Sequence, residues 1–255
     1  MEKQAIIALT RGYKDLVRYD MLIERNIAIE ENCDNVNDFE FILFHEGNIS
    51  LEHQNHINSK TNISFRFIDI RDIGKAFRQK DHIEFDSDTL KFKLAYRHMC
   101  SFWFVDFWHY VGGYSRIVRI DEDCIIEFNI DNLMADLKSY SAIYAKDFLD
   151  LQFVVKGMNE FTLEFLESQN YEGMKKRDPW GPYTNIIALN LDRLRLRKII
   201  FKYIDAIDKS DCIYTYRWGD LPLWGETLHY FHEPNESKLD KNLIYFHSSH
   251  NQQVN

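Results

Sequence analysis

The chain alternates short apolar runs with longer polar stretches, and the periods of that alternation predict an α/β order. "QAIIALTRG" is a continuous apolar run closed by a turn, the pattern of a strand buried on both faces. "YKDLVRYDMLIERNIAIEEN" spaces its apolar residues as an amphipathic helix does. "FEFILFHEG" and "ISFRFIDI" read as a second and a third buried strand. "TLKFKLAYRHMCSFWFVDFWHYV" reads as one helix with a very wide apolar face, stopped by Gly112 and Gly113. "SRIVRI" is a further strand, "SAIYAKDFLD" a short one, and "LQFVVKGMNEFTLEFLESQ" a helix. "YEGMKKRDPWGPYTN" is a polar, turn-rich loop, and "IIALNLDRLRLRKIIFKYIDAIDKS" begins as a strand and becomes a helix. "YTYRWGDLPLWGETLHYF" is aromatic-rich with Gly-Asp and Gly-Glu turns, and "NLIYFHSSH" is a last strand ending in His247 and His250. Strands and helices interleaved this way predict a single α/β domain over residues 1–255.

Composition narrows the class. A 255-residue chain that is 45% hydrophobic can bury one large core, and 15% aromatic residues suggest an aromatic-walled cleft within it. Four prolines and ten glycines leave little room for linkers. A net charge of −9 argues against a nucleic-acid partner, although a bound cation can still reverse the local sign for a phosphorylated ligand. The basic run "RLRLRK" is the one exception, read as the solvated face of a helix or as a phosphate contact. Cys33, Cys100, Cys124 and Cys212 form no CxxC pair and no zinc spacing, so they read as reduced thiols. No apolar run reaches the length of a membrane span, and the expected location is the cytoplasm.

The candidate chemistry lies in "RIDEDC", where Asp121, Glu122 and Asp123 are adjacent. In open α/β sheets ligands bind beyond the carboxyl ends of the strands, and this cluster follows a strand. Side-chain alternation would aim Asp121 and Asp123 to one side and Glu122 to the other. Two carboxylates so placed suit Mg²⁺ or Mn²⁺ completed by phosphate oxygens; the alternative is an acidic turn in water.

"YRHMCSFW", "RIDEDC", "YTNIIALNLDRLR" and "YRWGDLP", in that order between roughly residues 90 and 250, resemble the fungal α-1,2-mannosyltransferase family of the Golgi. That family has Tyr-x-x-Met-Cys-Arg-Phe, then Trp-Arg-Val-Glu-Pro-Asp, then Ser-Asn-Phe-Glu-Ile, then Arg-Trp-Gly-Asp-Ala-Pro. The resemblance implies a GT-A-like nucleotide-sugar-binding fold with a mixed, mostly parallel sheet. It implies a retaining, Mn²⁺-dependent glycosyltransferase using a nucleoside diphosphate sugar, GDP-mannose favoured, and a glycan or protein-linked acceptor. Asp121 and Asp123 would then hold the metal with His247, which lies 27 positions past Asp220. His250 is the second choice. Asp220 would contact the acceptor hydroxyl. Arg11, Tyr96, Arg97 and Asp121 would meet the donor, and Trp180, Tyr183, Asn185 and Trp218 the sugars.

The departures from the family bear on mechanism. The family's Glu in Ser-Asn-Phe-Glu-Ile falls on Ile187, while Asn185 is retained; Ser101 replaces an Arg, and Trp224 a His. Either a shifted carboxylate such as Glu226 takes over, or transfer needs no nucleophile, or the chain is inactive. Two other classes remain beside the transferase: a non-catalytic sugar-binding relative, and a nucleotidyltransferase. The latter would need a Gly-rich loop after the first strand, where "ALTRGYKD" has a single glycine.

Overall fold

The computed structural model describes residues 2–71, 80 and 82–248. The chain starts as β1 (Gln4–Leu9), then α1 (Asp20–Glu31), β2 (Glu40–His45), α2 (Leu51–Asn58) and β3 (Phe65–Asp69). It continues with α3 (Leu94–Ser101), β4 (Arg116–Ile120), β5 (Cys124–Ile126), α4 (Ile130–Asp136), β6 (Ala142–Tyr144) and β7 (Asp147–Leu149). The last third comprises α5 (Met158–Ser168), β8 (Trp180–Pro182), β9 (Ile186–Asn190), α6 (Leu191–Arg195) and α7 (Lys198–Ser210). It closes with α8 (Cys212–Thr215), α9 (Asp220–Tyr230), β10 (Ser237–Leu239) and β11 (Tyr245–His247).

Seven strands form the central sheet in the order β10-β6-β9-β4-β1-β2-β3. The β1/β2, β2/β3, β1/β4 and β6/β10 pairs are parallel, and β9 runs antiparallel to both β4 and β6. The mixed, mostly parallel sheet expected from the sequence is therefore present. Its strands are buried on both faces, because each face carries its own core. Ala5, Ile7, Ile42 and Phe44 face one side; Ile6, Ala8, Leu43 and Val118 face the other.

Several elements differ from the sequence reading: β5, α4 and β10 were not expected, β8 forms inside the stretch read as a loop, and three further differences bear on the architecture. No helix was expected between the second and third strands, yet parallel pairing of β2 with β3 requires a crossover. α2 provides it, capped by the Ser50 hydroxyl, which accepts from the His53 amide at 3.2 Å. The run from Thr89 to Val111 is not one helix: α3 ends at Ser101, a π-helical turn spans Phe102–Asp106, and a 3-10 turn spans Phe107–His109. The segment after Trp218 is helix, not a pair of turns. Pro222 is tolerated in its first turn, and Gly225 sits mid-helix against β8.

The four cysteines are free. The basic run Arg193–Lys198 is tied to its neighbours: Arg195 donates to the Val111 and Tyr114 carbonyls, and Arg197 pairs with Glu236. Among the described residues no helix is long and apolar enough to cross a membrane.

Candidate active site

A cleft of about 920 Å³ opens beyond the carboxyl ends of β1, β2 and β4. Sheet order explains it: β1 and β4 are neighbours, so the turns after both meet at one edge. Thr10 and Arg11 come from the first, and Asp121, Glu122 and Asp123 from the second. β4 ends at Ile120, so the acidic residues lie on a turn, closed by the Cys124 amide donating to the Asp121 carbonyl at 3.1 Å.

Because strand alternation stops there, the expectation that Glu122 points away is overturned: all three carboxylates line the cleft. Glu122 accepts from the Thr10 hydroxyl and, at 3.4 Å, from the Tyr13 hydroxyl. Arg11 Nε stands 3.6 Å from Glu122 Oε1 at the exposed mouth.

Asp121 is held by a residue the sequence reading missed. Arg119 Nε and Nη2 donate to its two oxygens at 2.7 and 3.0 Å, and Arg119 Nη1 donates to Asp220 Oδ2 at 2.6 Å. The guanidinium stacks on Trp103, 4.1 Å from the ring centroid. Burial alone would pull the Arg119 pKa down, but the charges of Asp121 and Asp220 reverse this and hold it above its ordinary value. Each carboxylate oxygen accepts two bonds, so Asp121 retains lone pairs for a further partner. Arg119 stands two residues before Asp121 in "RID", so a basic partner within reach of the carboxylate was visible in the sequence.

His247 arrives through β11, which pairs antiparallel with β5 so that His247 faces Cys124. Its Nε2 comes within 3.3 Å of Asp123 Oδ2, and the Asn185 carboxamide nitrogen lies 3.0 Å from His247 Nε2. The hydrogen bond with Asp123 raises the imidazole pKa against the opposing effect of burial. Ligand atoms of Asp123, Cys124 and His247 lie within 4.8 Å of one another. Cys124 is buried, which pushes its thiol well up and keeps it protonated. A carboxylate and an imidazole side by side, with Asp121 on the same turn, fit a divalent cation.

The opposite wall is built by α3 and the segment before α9. Arg217 adopts a left-handed φ of 64°, unusual for a residue with a side chain. Its guanidinium lies 4.5 Å from the Phe92 ring centroid and 4.8 Å from that of Tyr96. It also donates to Tyr96 Oη at 2.7 Å and to Asp150 Oδ2 at 3.1 Å. Burial raises the Tyr96 hydroxyl pKa well above its ordinary value. Asp220, the first residue of α9, lines the cleft beside this wall.

Arg11, Tyr96, Asp121, Asp123, Tyr183, Asn185, Asp220 and His247 thus meet in one cleft. Four other expected site residues do not join them. Arg97 is buried, and its guanidinium donates to the Thr89, Phe92 and Tyr214 carbonyls at 2.7, 3.2 and 2.5 Å. Glu226 is buried within α9 and does not line the cleft; it accepts from Asn159 Nδ2 at 2.8 Å. Trp218 is buried, with its indole donating to the Lys156 carbonyl at 3.1 Å. Trp180 is exposed on β8 and does not line the cleft. Ile187 is buried in β9 opposite Arg119, so that position offers no carboxylate. His250 lies outside the described residues.

A mixed sheet in this order, with an acidic turn at the carboxyl end of β4, is the GT-A glycosyltransferase fold. The chain is similar to the mannosyltransferase Ktr4p from S. cerevisiae, with a TM-score of 0.77 at 16% identity, covering 97% of this chain and 70% of that one. It is similar to the core-mannan synthase CmsA/Ktr4 from Aspergillus fumigatus in its Mn/GDP form, with a TM-score of 0.75 at 15% identity, covering 97% and 75%. Mouse xyloside xylosyltransferase 1 follows with a TM-score of 0.57 at 10% identity, covering 93% and 85%. No family model matches the sequence, and neither does any curated protein sequence. The resemblance read in the four motifs and the likeness of the fold converge on the same mannosyltransferases.

Proposed function

We propose that the protein is a metal-dependent glycosyltransferase. It moves a hexose from a nucleoside diphosphate sugar, GDP-mannose favoured, to a hydroxyl of a glycan or protein-linked acceptor, with retention. The observation that carries this reading is the meeting of Asp123 and His247 at 3.3 Å, far apart in sequence, in a cleft at the carboxyl end of the sheet. That a further structure of Ktr4p, with a TM-score of 0.75, is a complex with GDP, and that of CmsA a Mn/GDP form, supports the donor class.

Asp123 and His247, with Asp121 beside them, would hold the ion, which when bound stabilises negative charge on the leaving diphosphate. Arg11, exposed at the mouth, would meet a phosphate of the donor. Asp220 would orient the acceptor hydroxyl, its own carboxylate fixed by Arg119. The cleft offers no carboxylate at Ile187, and Glu226 lies outside it. This favours retention by a same-face route, in which the leaving phosphate oxygen takes the acceptor proton and positioning does most of the work.

The absence of a carboxylate at position 187 also supports the second reading, a sugar-binding relative without activity. Calorimetric titration of Mn²⁺ and a panel of nucleoside diphosphate sugars, with wild type and Asp123→Ala, tests both. Mn²⁺-dependent binding of one donor, lost in the variant, is expected, together with release of free nucleoside diphosphate. Binding without release favours the second reading, and no binding removes both. Pyrophosphate as product would indicate nucleotidyl transfer instead.

A further inference from the structure

Arg25, on α1, is fully buried and does not line the cleft. Among the described residues no carboxylate pairs with it. Its Nη1 donates to Asn26 Oδ1 at 2.9 Å and its Nη2 to the Ile120 carbonyl at 2.8 Å. Arg25 Nε and Asn26 Nδ2 have no partner among the described residues. A guanidinium cut off from water is costly unless an opposite charge lies against it, so its position calls for a reason.

The Ile120 carbonyl supplies one. Ile120 ends β4, and Asp121, Glu122 and Asp123 follow at once. Covalent geometry places the Asp121 carboxylate carbon within about 8 Å of Arg25 Nη2. The cation approaches the turn from the core rather than from the cleft. Apolar residues of α1 share a core with Ile120, Cys124 and Ile126, which flank the acidic turn. Asn32, just past α1, donates to the Ile126 carbonyl at 3.4 Å and fixes the helix there. Burial pulls the Arg25 pKa down to about 10, opposed by Cys124, Asp121 and Glu122, and the group stays charged at neutral pH. Arg119 is already committed to Asp121 and Asp220.

We infer that Arg25 is a buried counter-charge for the acidic turn, holding its affinity for a divalent cation below what three carboxylates alone would give. The inference rests on the metal-dependent reading above. Arg25 is a positioning residue that acts through the turn. It offsets the mutual repulsion of the carboxylates when no ion is bound, and it lets a bound ion dissociate. Two unit charges about 10 Å apart at an effective dielectric of about 20 change an equilibrium constant about tenfold, and a doubly charged ion feels twice the repulsion. A purely structural role predicts the opposite sign: without the bond to the Ile120 carbonyl the turn would shift, and the ion would bind more weakly.

Calorimetric titration of Mn²⁺ into the full chain, wild type beside Arg25→Gln and Arg25→Met, tests this. Gln can still donate to the Ile120 carbonyl, Met fills the space with an apolar chain, and both remove the charge. Each neutral variant that folds, judged by thermal melts, should bind Mn²⁺ at least about tenfold more tightly than wild type. Adding Asp123→Ala to Arg25→Gln should abolish the gain; a gain that survives lies elsewhere and overturns the inference. Unchanged or weaker binding overturns it, and so does failure of both neutral variants to fold, which would assign the charge to the core. If wild type takes up no Mn²⁺, the metal-dependent reading fails and this inference with it. If wild type binds Mn²⁺ and the variants bind no better, the inference alone fails.

Discussion

Arg119 joins two carboxylates that the chain separates widely: Nη1 donates to Asp220 at 2.6 Å, and Nε and Nη2 grip Asp121 at 2.7 and 3.0 Å. One buried cation thereby couples the end of β4 to the start of α9, the two elements that carry the proposed metal and acceptor groups. The planar fork suits this task because it addresses several carboxylate oxygens in fixed directions, which an ammonium does not.

Removing that cation should be costly. Arg119→Met leaves the buried Asp220 and the half-buried Asp121 carboxylates without their shared cation, and a loss of about 3–5 kcal/mol is expected. Arg119→Lys should fall between the variant and wild type. Urea unfolding measures both; a loss below about 1 kcal/mol for Arg119→Met would mean that water solvates the pair instead.

Glu226 gives a pH dependence of definite sign. Burial raises its carboxyl pKa from an ordinary 4.5, opposed by the bond from Asn159 and the charge of Arg177. The folded state therefore binds the proton more tightly than the unfolded state. Its contribution to stability is full below the ordinary value and is lost as pH rises through the folded value. Glu226→Gln retains an acceptor for Asn159 and does not titrate. The variant should gain on wild type as pH rises from 4.5 through that window, in paired thermal melts. A difference independent of pH would show that the group is not shifted.

Gly225 tests how tightly β8 is held to α9. Helix propensity alone predicts that Gly225→Ala stabilises by about 1 kcal/mol. The Trp180 carbonyl occupies the space of the added methyl, so overpacking should win, with a net loss of about 1–3 kcal/mol. A stabilised variant would mean that β8 can lift from the helix.

Arg97 separates a structural arginine from a donor-binding one. Its guanidinium serves three carbonyls and lies 3.9 Å from the Phe85 ring centroid, away from the cleft. Arg97→Met should cost about 1–3 kcal/mol through unsatisfied carbonyls. Donor affinity by calorimetry should stay at the wild-type value. A tenfold weaker donor at unchanged stability would return Arg97 to the site.

Local pattern carried much of this protein. Apolar runs such as "QAIIAL" and "FEFILFH" are legible as parallel strands because burial on both faces leaves polar residues only near their ends. The motifs around Tyr96, Asp121, Asp123 and Asp220 pointed to one cleft because their order and spacing matched a known set. What pattern could not resolve was direction. Arg97 and Glu226 are ionisable residues beside motif positions, yet each turns inward to partners distant in sequence: Tyr214 and Asn159. Glu122 was assigned by a strand period that had already ended at Ile120.

The sequence sufficed where a property depends on neighbours a few positions away: strand, helix and the chemical character of the acidic turn. Tertiary structure alone placed β11 against β5 and α9 beside β8, and so brought His247 to Asp123 and Asp220 to Arg119. Those meetings depend on pairing and packing between elements far apart in the chain. Such contacts form only once the intervening loops are closed and the core has set their registers.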